Sequence, residues 1–274
     1  MPHVPSDNWW NKDISAEPVD SNSDNYIAFI NRSRQFLHAD FGADPLYGIP
    51  YVVVPPEQPL LPITFTAYGD ESDPGPYPIP SNAPVEGGAN ADGDRHVLVV
   101  REGECKLYEL YRAFYNGKGW NADSGAVFDL RSNKLRPAGW TSADEAGLPI
   151  LPGLARYEEV SAGKINHALR FTVQTAQRGY VLPAQHWASS SDLNAPPMGL
   201  RLRLKASYDI SKFTGQSRVV LEALRKYGLI VADIGSSWFI SGATDRRWND
   251  DDLNQLKNVA GSSFEVVKVD KIYK

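Results

Sequence analysis

The chain has 274 residues, 42% apolar and 22% charged, with 28 Lys+Arg against 33 Asp+Glu and one cysteine. The apolar and aromatic content excludes a disordered chain, and a single cysteine excludes a disulfide scaffold. A formal net charge of −5 offers no basic surface to neutralise phosphates, so no nucleic-acid partner is expected.

Residues 1–22 read as an irregular lead-in holding Trp9 and Trp10. Ser23 or Asp24 is placed to cap a helix over 25–37. Strands follow at 49–54, stopped by Pro55-Pro56, and at 63–68, where alternation marks a half-buried strand. Residues 69–94 hold five prolines and five glycines, a density of breakers that admits neither helix nor interior strand. A loop of that length inside a domain is often functional. Segments 95–101 and 105–112 form a hairpin, with Cys105 expected as a small core residue.

Further strands are predicted at 126–130, 165–173, 180–182 and 200–205, with a short helix over 154–160. A helix capped by Ser217 runs to Gly228. A strand pair at 229–233 and 237–241, a helix capped by Asn249 and a strand at 264–269 complete the chain. Nine to twelve short strands, no regular βα alternation and no linker predict one domain over 1–274. It is expected to be mainly β: an antiparallel sandwich or jelly roll, concanavalin-like, with two or three peripheral helices.

The histidines His3, His38, His96, His167 and His186 form neither HxH nor HxxxH, and there is no CxxC, so no metal site is expected. The acid runs Asp70-Glu71-Ser72-Asp73 and Asp250-Asp251-Asp252 lack EF-hand spacing and read as a solvated loop and a helix first turn. A structural calcium stays open there; no other cofactor is expected. Serine-hydrolase, dinucleotide and P-loop motifs are absent.

The chemistry therefore rests on the central strands. With a tight Glu102-Gly103 turn, His96 faces Glu109 and Asp94 faces Tyr111 on one face of the hairpin. An imidazole beside a carboxylate does acid–base work, and the pair Asp94 and Glu109 has the residue types that flank a glycosidic bond. The bland alternative is a buried structural pair. His167, on an apolar strand face, is catalytic only if that face shares the cleft of His96. Trp120, Trp140 and Trp187 lie beside polar loops, where flat aromatics suit the apolar faces of sugars; each could equally plug the end of a core. Tyr111, Arg95 and Arg170 join them as substrate-binding candidates. Glu86, Asp92, Asp73 and Arg201 are further candidates for the same site.

Segments 147–173 and 221–253 resemble bacterial, often secreted, proteins, some of which resemble β-sandwich carbohydrate-active proteins. The resemblance extends to GDRHVLVV and YELY. It implies an extracellular or periplasmic protein with a polysaccharide ligand, and carries over no catalytic residue. No signal-peptide pattern opens the sequence, so the signal is expected to lie outside it; no apolar run reaches the ~18 residues of a membrane span. The expected function is polysaccharide cleavage by a glycoside hydrolase. The alternatives are a polysaccharide lyase using His96 or His167 with Tyr111, and a non-catalytic carbohydrate-binding or cell-surface module.

Overall fold

The computed structural model describes residues 4–274, so His3 and the first residues of the lead-in lie outside the description. The frequent prolines and glycines cut the chain into thirteen short strands among the described residues. These are β1 (His38–Asp40), β2 (Tyr51–Val54), β3 (Ile63–Phe65), β4 (Val97–Arg101), β5 (Lys106–Tyr111), β6 (Phe114–Tyr115) and β7 (Trp120–Ala122), then β8 (Ser124–Asp129), β9 (Leu169–Val173), β10 (Arg201–Leu204), β11 (Leu229–Ile234), β12 (Phe239–Ser241) and β13 (Phe264–Val266). The helices are α1 (Ser23–Ile30), α2 (Tyr157–Ser161), α3 (Gly215–Lys226) and α4 (Asp250–Leu253). A quarter of the residues are strand and 17% helix, so the protein is mainly β.

The strands form three sheets, ordered β1-β12-β9-β11-β10-β13, β2-β4-β5-β8 and β3-β7-β6. They are mixed rather than antiparallel throughout. Strands β1 and β12, β9 and β11, β2 and β4, and β3 and β7 run parallel. The expected hairpin between 229–233 and 237–241 does not form, because β9 lies between β11 and β12. Strand β11 holds β9 in parallel while β12 pairs β9 antiparallel, and Gly235 donates its N–H to the Val173 carbonyl at the turn.

Capping explains the helices. Asn249 accepts the Asp252 N–H at 3.1 Å, as the sequence predicts. Helix α3 starts after Thr214, ahead of the predicted Ser217, and Gly228 follows its end with φ +77°, a conformation glycine adopts without strain. Helix α1 stops at Ile30, well short of residue 37, because Leu37 donates its N–H to Val259 and leads into β1.

One apolar core fills the six-stranded sheet, against which α3 packs Val220, Leu221 and Leu224. The four-stranded sheet has apolar residues on both faces: Val97, Val99 and Tyr108 toward one cluster, Leu98, Val100 and Leu107 toward another. That second cluster includes Ile150, Leu151 and Leu154 from the segment leading to β9. Between the four- and six-stranded sheets, the polar residues gather where the long loop 69–94 delivers the chain into β4.

Candidate active site

Strand β4 begins at Val97, so His96 enters on the face of Leu98 and Val100. In the β4–β5 register Leu98 faces Glu109 and Val100 faces Leu107. This is two residues away from the register that a tight Glu102-Gly103 turn would impose. The connection spans Glu102–Cys105, with Gly103 and Cys105 both at positive φ. Cys105 is thus a half-buried turn residue rather than a core one. A two-residue slip keeps every side chain on its face. His96, Glu109 and Tyr111 therefore still share one face, but their neighbours change. The Tyr111 ring meets His96 at a centroid distance of 5.7 Å, and Glu109 moves one step deeper.

Glu109 is fully buried. Its carboxyl accepts the N–H of Ile150 at 3.0 Å and that of Leu151 at 3.1 Å. Burial pushes it up to about 7 while the two amides pull the other way. It opens onto none of the cavities below, and the structure does not bring it to face Asp94. The expected Asp94–Glu109 pair across a groove gives way to a structural carboxyl that anchors a loop.

His96 is buried with both ring nitrogens engaged: Nδ1 to Glu86 Oε2 at 2.6 Å and Nε2 to the Ala143 carbonyl at 2.9 Å. Burial opposes the imidazolium, but the charge and hydrogen bond of Glu86 outweigh it and raise His96 to about 9. Glu86, despite its own burial, is held below the usual range by His96.

Arg170, from β9, lies against the same spot. It is buried, donates from Nε to Asp144 Oδ2 at 3.1 Å and from a terminal nitrogen to Oδ1 at 2.6 Å, and also reaches Ser241 Oγ. Asp233 of β11 sits 3.6 Å from the same guanidinium. Burial and the neighbouring Asp144 push Asp233 well above the usual carboxylate range, with Arg170 only partly compensating. Asp40 is raised too, by burial and by Glu86.

Two adjoining cavities open here. The inner one, about 50 Å³, is lined by Asp40, Glu86, Asp94, His96, Arg170 and Asp233. The outer one, about 250 Å³, is lined by Tyr68, Asp94, Tyr111, Glu145, His186 and Asp233. Asp94 and Asp233 belong to both. Glu145, in the outer cavity, is raised to about 7 by burial and by Asp144. Glu86, Asp94 and His96 bring ligand atoms within 4.8 Å of one another, a set able to hold a divalent cation. The His96–Glu86 hydrogen bond accounts for the closeness of those two groups, not for that of Asp94.

Other candidates lie elsewhere. His167 is buried, with Nδ1 at 2.7 Å from the Ala168 carbonyl and Nε2 at 3.1 Å from both Arg156 and Glu159, and lines neither cavity. Trp120 is 2% exposed in the core beside the three-stranded sheet. Trp187 stacks on His186 at 5.3 Å, behind the outer cavity. Trp140 lines a separate groove. Arg95 clamps the long loop through the carbonyls of Ala89 and Ala91, ties it to the end of β5 through that of Ala113, and lies over Phe114. Arg201 binds the carbonyls of Trp9, Lys12 and Tyr227. Asp92 is exposed in the loop and lines neither cavity. In the acid runs, Asp73 pairs with Arg136, Glu71 accepts the Thr141 N–H, Asp250 accepts the Ala43 N–H and Asp252 accepts that of Gln216.

The residues that sequence reasoning missed are Asp40, Asp144, Glu145 and Asp233. An acid within the apolar run LIVADI of β11 is the signal that marks Asp233. Comparison of the chain with known protein families, with curated proteins and with solved structures gave no match.

Proposed function

We propose that the protein is a glycoside hydrolase acting on a polysaccharide, with Asp94 and Asp233 as its carboxylate pair. The observation that carries this reading is their shared position at the junction of the two cavities, in unlike environments. Asp233 is raised well above the usual carboxylate range by burial and by Asp144, which favours its protonated form; Asp94 is exposed to solvent. A carboxyl whose surroundings favour its protonated form is suited to act as the acid, which leaves its exposed neighbour as the base. Asp233 donates its proton to the glycosidic oxygen as the C–O bond breaks, and Asp94 takes a proton from the attacking water. Glu86, His96, Arg170 and Asp144 hold the floor of the site. The exposed Tyr68 and Ile234 at its mouth offer apolar surface to a sugar ring. An extracytoplasmic location goes with a polymeric substrate, and a sandwich-like packing of the two larger sheets is the frame we envisage.

The lyase alternative fits less well. A base at His96 needs a free ring nitrogen, and both are engaged; Arg170 is committed to Asp144 and Ser241 rather than open to a uronate. A polysaccharide panel assayed by reducing-end release tests the proposal. Asp94→Asn and Asp233→Asn should each lower turnover by about 100-fold or more with an unchanged melting temperature. Undiminished turnover in both variants overturns it.

A further inference from the structure

A third concavity, about 640 Å³, is also bordered by the segment 140–149. That segment is a wall between two spaces. Thr141, Ser142, Ala143 and Glu145 line the outer cavity of the candidate site, while Trp140, Gly147, Leu148 and Pro149 line the groove. Trp9, 37% exposed, and Phe128 supply further flat apolar surface in the groove. The exposed Asn133 adds an amide, held in place by the buried Asn8, whose Nδ2 donates to Asn133 Oδ1 at 2.8 Å. Flat aromatics interleaved with amides match the apolar faces and hydroxyl edges of pyranose rings.

The charges of the groove select among glycans. Arg136 is neutralised by Asp73, Asp129 by Arg131, and Lys106 has Glu104 at 3.5 Å. Among the described residues that line it, Lys134 is the one charged group without an ion-pair partner. A polyuronate would meet no cluster of free cations here.

We infer that this groove is a binding site for a neutral polysaccharide chain, held on Trp9 and Trp140 beside Asn133. This rests on the glycan reading of the candidate site, but it uses different residues and can fail separately.

The test is affinity electrophoresis of the full chain through gels containing neutral polymers (β-glucan, xyloglucan, mannan, xylan) or acidic ones (polygalacturonate, alginate). Melting temperatures serve as folding controls. Wild-type protein should be retarded by at least one neutral polymer. Trp9→Ala and Trp140→Ala should weaken that retention about tenfold or more, Trp140→Phe should restore part of it, and Asp94→Asn should retain it while losing hydrolysis. No retention by any neutral polymer, retention by acidic polymers alone, or unchanged retention in folded Trp9→Ala and Trp140→Ala overturns the groove. Retention without hydrolysis in the wild type supports the groove and defeats the catalytic reading.

Discussion

Arg170 and Asp144 form a two-point ion pair across a loop-to-strand junction, with both side chains inside the protein. Removing one partner strands the other charge away from water, which is costlier than the pair is worth. Asp144→Ala should therefore destabilise the protein by about 3–5 kcal/mol in chemical denaturation. Asp144→Asn, which keeps an acceptor oxygen for Arg170, should cost less.

Glu109 gives a pH-dependent stability with a definite sign. Folded, its carboxyl keeps its proton up to about pH 7; unfolded, it releases it near 4.5. Within that window the folded chain binds more protons, so its contribution to stability is full below about 4.5 and is lost as pH rises through about 7. Glu109→Gln has no such proton to lose. Denaturation midpoints measured from pH 4 to 8 should give a difference between wild type and variant that changes across this window by on the order of 3 kcal/mol.

His96 works in the opposite part of the scale. Its proton stabilises the fold fully below about 6.5, and the gain disappears as pH rises through about 9. In Glu86→Gln, burial acts with only the weaker attraction of Asp94 against it. The imidazole midpoint, followed by nitrogen-15 NMR, should drop from about 9 to below ~7. A midpoint that stays near 9 would show that Glu86 does not hold the proton.

Glu145 and Asp233, the raised acids that line the outer cavity, compete for the role of proton donor, and pH profiles separate them. Activity needs the donor protonated and falls as pH rises through its pKa. If Asp233 is the donor, Glu145→Gln should lose no more than about tenfold in kcat and keep the alkaline limb. Disappearance of an alkaline limb near pH 7 in Glu145→Gln would instead make Glu145 the donor.

Local chemistry was legible in the sequence and long-range pairing was not. Asn249, Gly228 and the Pro/Gly-dense loop 69–94 announced themselves, because a cap, a helix stop and a run of breakers act within a few residues. The face shared by His96, Glu109 and Tyr111 was also readable, since alternation survives a two-residue slip. The register itself depended on a four-residue turn with two positive-φ residues, and that slip decides whether Glu109 opens to solvent or anchors Ile150. Insertion of β9 between β11 and β12 left no local trace. Asp144 and Asp233 become a site only through that insertion, which brings β11 beside Arg170.

The stretch from Ala143 to Leu151 is fastened at three buried points: the Ala143 carbonyl to His96, Asp144 to Arg170, and the Ile150 and Leu151 amides to Glu109. Irregular backbone pinned in this way behaves as part of the rigid interior. Its amides at Ile150 and Leu151 should exchange with solvent deuterium as slowly as those of β4 and β5. A partition this stiff keeps the two spaces that it borders at a fixed separation, whatever occupies either of them.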